Sequence, residues 1–223
     1  MSSTKSSLDI HYANLMRNHP YGTALYTPLP YSLFHPGSTG YFSSLGHWNP
    51  ITDLSTPSPN LTLSPAPSES FTWGPKISSS TKALKSSLDV GLSSLVTTAI
   101  PADLGAWYKF ESTRDGGAVL LTKGEIKHER FYYESPFKQW VRDNAVRLIQ
   151  ERPEILEQGF WIVTSTWSVE RAALNCWKEN GRTVGVGFKA GVVGIGEVAP
   201  SGEWVTGGGS EGWVGVESKE VSI

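Results

Sequence analysis

Apolar and polar residues alternate with period two along two long stretches of the chain, and they recur at helical spacing along one. In the first stretch Leu88, Val90, Leu92, Val96 and Ile100 fall on one face, with Ser94 and Thr98 as small interruptions. Asp89, Gly91, Ser93 and Thr97 fall on the other, and Leu95 breaks the pattern. Pro101-Ala102-Asp103 turns the chain, and Leu104, Ala106, Tyr108 and Phe110 resume an apolar row opposite Gly105, Lys109 and Glu111. Such alternation marks strands with unlike faces and predicts a long hairpin over 86–112. Asp115-Gly116-Gly117 reads as a further turn and AVLLT as a short buried strand. SPFKQWVRDNAVRLIQER is the clearest helix, with Phe137, Trp140, Val141, Ala145, Leu148 and Ile149 at helical spacing. Ser135 suits the cap, Pro136 the first helical position and Pro153 the end.

Period two returns in GFWIVTSTWSVERAALNCW, where Trp161, Val163, Trp167, Val169, Ala173 and Trp177 share a face. Asn180-Gly181 is a strong hairpin signal, which makes the strand from Thr183 the expected partner. There Val184, Val186, Phe188, Ala190 and Val192 line one side, and Thr183, Gly185, Gly187, Lys189 and Gly191 the other. Pro200-Ser201-Gly202 reads as a turn back into WVTGGGSEGWVGV, giving a second hairpin over 183–217. Ahead of all this, residues 1–20 form a polar, helical lead-in. Residues 28–80 are rich in proline, serine and threonine, with only Asp53, Glu69 and Lys76 charged. LFHPGSTGYF and GHWNPITDL read there as turns between short extended pieces, and 56–70 as a loop or linker. The fold class expected is α+β: a twisted antiparallel sheet with long β-hairpins and one main amphipathic helix.

Glycine at 185, 187, 191, 194 and 196 changes the picture of the second hairpin. Each glycine weakens a strand by about 0.5–1 kcal/mol relative to alanine. Two readings stand. In one, this is an ordinary sheet with glycine bulges. In the other, the hairpins are held loosely so that they can extend and pair anew. Each arm is long enough to cross a hydrocarbon core, which takes about 9–11 tilted residues. The greasy and the small or polar faces are what a barrel wall needs.

Composition narrows the function. The net charge of −2 argues against nucleic acid as the main partner. Charge is unevenly spread: residues 76–147 carry eleven Lys or Arg against eight Asp or Glu, residues 148–223 six against ten. The basic middle reads either as solvated faces or as a patch for anionic lipid headgroups, worth about 1 kcal/mol per well-placed cation. A single cysteine, Cys176, permits no internal disulfide and favours a reducing compartment. The opening MSSTKSSLDIHYANL lacks the apolar core of a signal peptide. No apolar run is long enough for a spanning helix.

No catalytic constellation emerges. Gly208-Gly209-Ser210-Glu211-Gly212 fits a nucleophile elbow, but no histidine follows His128. Gly194 to Ala199 fits a dinucleotide fingerprint, but Pro200-Ser201-Gly202 follows where a helix should start. His11, His19, His35, His47 and His128 lack the spacing of a metal pair. Cys176 reads as a small buried hydrophobe. The row Trp161, Trp167, Trp177 reads first as a core face, with a ligand- or membrane-facing row as the alternative. No enzymatic activity, cofactor or metal is expected.

GTALYTPLPYSLFHPGSTGYFSSLGHWNPITDL resembles the opening of fungal gasdermin-like proteins of the cell-death regulator group. The blocks PFKQWVRDNA, FWIVTSTWSVERAALNCW and VGVGFKAGVVGIGEVAPSGEW are similar in order and spacing, so the resemblance covers about 22–55 and 86–214. It implies a pore-forming domain like the gasdermin N-terminal domain, which binds acidic phospholipids, assembles as a homo- or hetero-oligomer, including with an allelic variant, and inserts two β-hairpins per subunit. It implies a cytoplasmic protein that moves to the plasma membrane in regulated cell death or allorecognition. The division expected is an N-terminal cassette and linker, 1–80, and a membrane-active region, 81–223, joined in one domain. The inserting residues would be Leu88, Val90, Leu92, Val96, Ile100, Val184, Val186, Phe188 and Val192. Lys76, Lys82, Lys85 and Lys109 would be the lipid-contacting cations, although no family motif falls on them. The alternative is a non-catalytic soluble binding or accessory protein of the same fold. The resemblance does not extend to a large C-terminal inhibitory domain.

Overall fold

A computed structural model describes residues 8–85, 107–113, 116–178, 182–193, 197–206 and 213–223. The first described elements are α1 (Leu8–Leu15) and a 3-10 turn (Met16–Asn18). Six short strands follow: β1 (Leu29–Pro30), β2 (Ser38–Phe42), β3 (Trp48–Asp53), β4 (Glu69–Phe71), β5 (Lys76–Ile77) and β6 (Thr81–Lys85). Then come β7 (Trp107–Ser112), β8 (Gly117–Arg130), α2 (Ser135–Glu151), α3 (Ile155–Gln158) and β9 (Trp161–Ile162). The chain finishes with β10 (Ser165–Trp177), β11 (Thr183–Val193), β12 (Glu197–Thr206) and β13 (Val214–Ser222). This is a mixed α+β fold in which every strand pairing is antiparallel among the described residues.

A six-stranded sheet forms the centre, in the order β1-β13-β10-β8-β4 with β5 also on β8. Its spine is the long pair β8 and β10, in register from Ser165↔Arg130 to Trp177↔Gly117. One face is covered by α1 and the turn after it. Tyr12 and Met16 pack there on Ala118, Leu120, Leu174 and Cys176. The other face is covered by a four-stranded sheet, β12-β11-β7-β6. Val184, Val186 and Phe110 of that sheet pack on Val119, Leu121, Ala173 and Trp177. A three-stranded sheet, β3-β2-β9, completes the molecule. Segments from the first eighty residues are woven into the main sheet: β1 pairs with β13, while β4 and β5 pair with β8.

Several elements depart from the pattern reading, each for a local reason. The ladder between β8 and β10 slips between Val169 and Arg171. A slip exchanges the faces of all that follows. Trp167 and Val169 therefore pack toward α1, whereas Ala173 and Trp177 pack toward the four-stranded sheet. The single tryptophan face expected over 161–177 is thus divided. Asn180-Gly181 does not lead to a hairpin between β10 and β11. β10 pairs with β8 and β13, and β11 with β7 and β12, so the chain changes sheets there. Pro200-Ser201-Gly202 lies inside β12 rather than in a turn. Proline is tolerated because β12 is an edge strand among the described residues and Pro200 falls at the slip between Ala190↔Gly202 and Val192↔Val198. Val214–Ser222 joins the main sheet, not the second hairpin.

AVLLT belongs to a strand of 14 residues. Helix α2 lies where expected, but Glu134 precedes it as the cap in helical conformation, and Ser135 is already helical. Of its apolar stripe Phe137 and Leu148 are buried and Ile149 is exposed. Gly116, at φ 98°, and Gly117 let β8 start beneath Trp177; a Cβ at either position would run into that residue.

Candidate functional site

The four-stranded sheet and its seam with the centre bring together what the sequence singled out. The first expected hairpin, 86–112, contributes β7, which pairs with β6 just ahead of it, in register from Thr81↔Ser112 to Lys85↔Tyr108. Its remaining residues, including Leu88, Val90, Leu92, Val96 and Ile100, lie outside the described ones. β11 and β12 form the second hairpin, from Val186↔Thr206 to Val193↔Glu197, with a slip between Ala190 and Val192. The two hairpins are neighbours, because β7 pairs with β11 from Thr183↔Glu111 to Gly187↔Trp107. This adjacency is invisible to periodicity, which fixes faces but not partners.

Of the apolar positions expected to enter a membrane, Val184 and Val186 are 1% and 0% exposed. They fill the seam beside Phe110. Phe188 and Val192 stand opposite Trp204 and Val198 in the hairpin register.

Of the four lysines, three fall on adjoining strands. Lys82 is exposed and stands opposite Glu111, Lys85 opposite Tyr108, and Lys109 opposite Leu84. Lys76 is placed apart, on β5 in the main sheet. Its ammonium lies 4.8 Å from the centre of the Tyr21 ring and 5.0 Å from that of Trp73, and it donates to the Tyr21 hydroxyl at 3.2 Å. Cation–π contacts of this kind hold the loop at Tyr21 against the sheet.

The seam carries a feature that the sequence reading did not pick out. Asn175 is fully buried. Alternation places it with Ala173 and Trp177 on the seam side of β10, opposite Val119 in register. Neither its amide oxygen nor its amide nitrogen has a hydrogen-bond partner among the described residues. The same holds for the indole N–H groups of Trp177 and of Trp213. Trp213 packs against the seam and directly precedes Val214, the register partner of Leu174. The legible signal was an asparagine inside the apolar run of Ala172 to Trp177.

One other polar cluster, on the surface of the main sheet, has the contacts of a catalytic relay. His128 accepts or donates at 2.9 Å to Ser165 Oγ through Nε2, and its Nδ1 lies 3.3 Å from Glu69 Oε2. The order of contacts is that of a serine–histidine–carboxylate relay. However, Glu69 is half-exposed, and Ser165 lies on the open sheet surface. Register accounts for the trio: Glu69 stands opposite His128, and His128 opposite Trp167, on which its ring stacks at 3.9 Å. A cavity of about 360 Å³ lies between α1, the segment 23–27 and the turn after β2. Ile10, Leu25, Tyr26, Phe42 and Trp161 line it, with Asp9 and Arg17 as its charged groups.

Among the described residues no group of three or more His, Cys, Asp or Glu could hold a metal ion. Cys176 is buried, and desolvation pushes its thiol up to about 12, away from the thiolate that nucleophilic chemistry requires. Glu197 to Ala199 are in strand conformation and not helical. The G-x-S-x-G at 208–212 lies outside the described residues. No helix among the described residues is long and apolar enough to cross a membrane.

No family model, curated protein or solved structure matches this chain.

Proposed function

We propose that this chain permeabilises membranes, in the manner of fungal gasdermin-like proteins, by oligomerising on acidic phospholipids and inserting its two hairpins. The fold would then be of the gasdermin N-domain kind. The protein would act from the cytoplasm at the plasma membrane, in regulated cell death or allorecognition. One observation carries the reading: β7 from the first expected hairpin and β11 with β12 from the second belong to one four-stranded antiparallel sheet, hydrogen-bonded to each other through β7 and β11. A lone hairpin in lipid leaves backbone groups unpaired on both sides, at several kcal/mol each. Two hairpins already joined halve the number of open edges per copy. The arms of 11 and 10 residues in β11 and β12 match the length that spans hydrocarbon. Lys82, Lys85 and Lys109 supply cations on the same sheet.

The burial of Val184 and Val186 favours the second reading, a non-catalytic binding module whose sheet stays docked. Release of a trapped dye from vesicles of phosphatidylserine in phosphatidylcholine separates the two. The proposal expects leakage at micromolar protein and little from vesicles of phosphatidylcholine alone. Intact vesicles in the presence of folded protein would leave the binding module.

A further inference from the structure

The seam between the two large sheets is not built as an ordinary dry core. Four polar side-chain atoms, from Asn175, Trp177 and Trp213, are buried on that side of the central sheet without hydrogen-bond partners among the described residues. Their apolar surroundings include Val119, Ala173, Val184 and Val186. A buried amide without a partner is costly, and the cost vanishes when the group reaches water. That cost exists only while the sheets are together. It therefore acts against docking of the four-stranded sheet and leaves the pairing within each sheet untouched. Asn175 is the largest contributor, with two unpaired atoms and no exposure.

We infer that Asn175 is a built-in release point, which lowers the free energy needed to part the four-stranded sheet from the central one and so sets how readily the hairpins are freed. This deepens the membrane reading and rests on it for its purpose. The physical claim about the seam is independent of that reading.

The test is Asn175→Leu in the full chain, with Asn175→Val as a smaller variant should leucine overpack the seam. Removing the amide is expected to raise the thermal midpoint by about 2–4 °C or more for a chain of this size. Exchange of the β11 and β12 amides is expected to slow by about fivefold or more, as a stabilised local opening requires. Leakage from phosphatidylserine vesicles is expected to slow by a similar factor. If both variants leave the midpoint and the exchange rates unchanged or lower the midpoint, the amide is satisfied in solution and the inference is overturned. If stability and protection rise while neither the wild-type chain nor its variants release dye, the release point stands and the membrane function falls.

Discussion

At the residue scale the clearest physical consequence concerns two protons in the main core. Desolvation raises the Cys176 thiol from 9.0 to about 12, with Asp9 adding to the effect and Lys178 opposing it. Desolvation also raises the phenol of Tyr12 well above 10.0, with Cys176 and Tyr26 contributing. Both groups touch the same face of β8 and β10. In the unfolded chain they ionise near their ordinary values, whereas in the folded chain they keep their protons. The unfolded state therefore binds fewer protons above about pH 9, and stability falls as pH rises beyond it. Urea midpoints are expected to be flat between pH 7 and 8.5 and to decline by pH 10.5. Cys176→Ala should reduce that decline, and an equal slope in the variant would show that the thiol does not contribute.

At the element scale β11 carries two roles that pull apart. Its Val184 and Val186 hold the sheet to the core, yet the same row is the one that would face lipid. An aspartate at Val186 would place an unpaired carboxylate among Phe110, Val119 and Trp177, at a cost of several kcal/mol. The cooperative unfolding transition is expected to be lost in Val186→Asp. Leu84→Asp, at a position 38% exposed on β6, should stay within about 0.5 kcal/mol of wild type. Similar unfolding curves for the two variants would contradict the seam.

How far the elements were legible follows from the same local physics. Helix α2 could be read because six apolar residues repeat at its pitch and Pro136 marks its start. LFHPGSTGYF and GHWNPITDL were legible as short extended pieces, but Asn49-Pro50, read as a turn, lies inside β3, and the reversal falls between Phe42 and Trp48. The hairpin of β11 with β12 was legible as alternation, but its turn was misplaced, because Pro200 is tolerated on a sheet edge. The slip after Val169 left no mark in the alternation yet exchanged every face beyond it. The change of sheet after Trp177 was hidden because Asn-Gly reports a local reversal and not which strand is met next. The seam was half legible: its valines stood out, but the significance of Asn175 needed the second sheet above it.

At the scale of the whole molecule, the described structure is a central sheet clamped between a small helix and a second sheet. Lys82, on β6 of that second sheet, is exposed. Lys82→Gln with Lys85→Gln should weaken binding to phosphatidylserine vesicles by about tenfold or more at low salt, at about 1 kcal/mol per cation. The difference should shrink toward none near 0.5 M salt, as screening shortens to a few ångströms. Equal affinities at low salt would remove both lysines from the contact.

Among the described residues the two margins of the four-stranded sheet are different strands, β12 and β6. Copies that extend it edge to edge have two ways to do so. Like margin against like margin makes a two-fold pair and stops. Unlike margins leave a fresh β12 and a fresh β6 after each addition, so growth continues as an open filament unless the rotation between copies closes it into a ring. The number of copies in such a closed ring is then fixed by the angle between neighbours, a quantity set by sheet twist and not by any single contact.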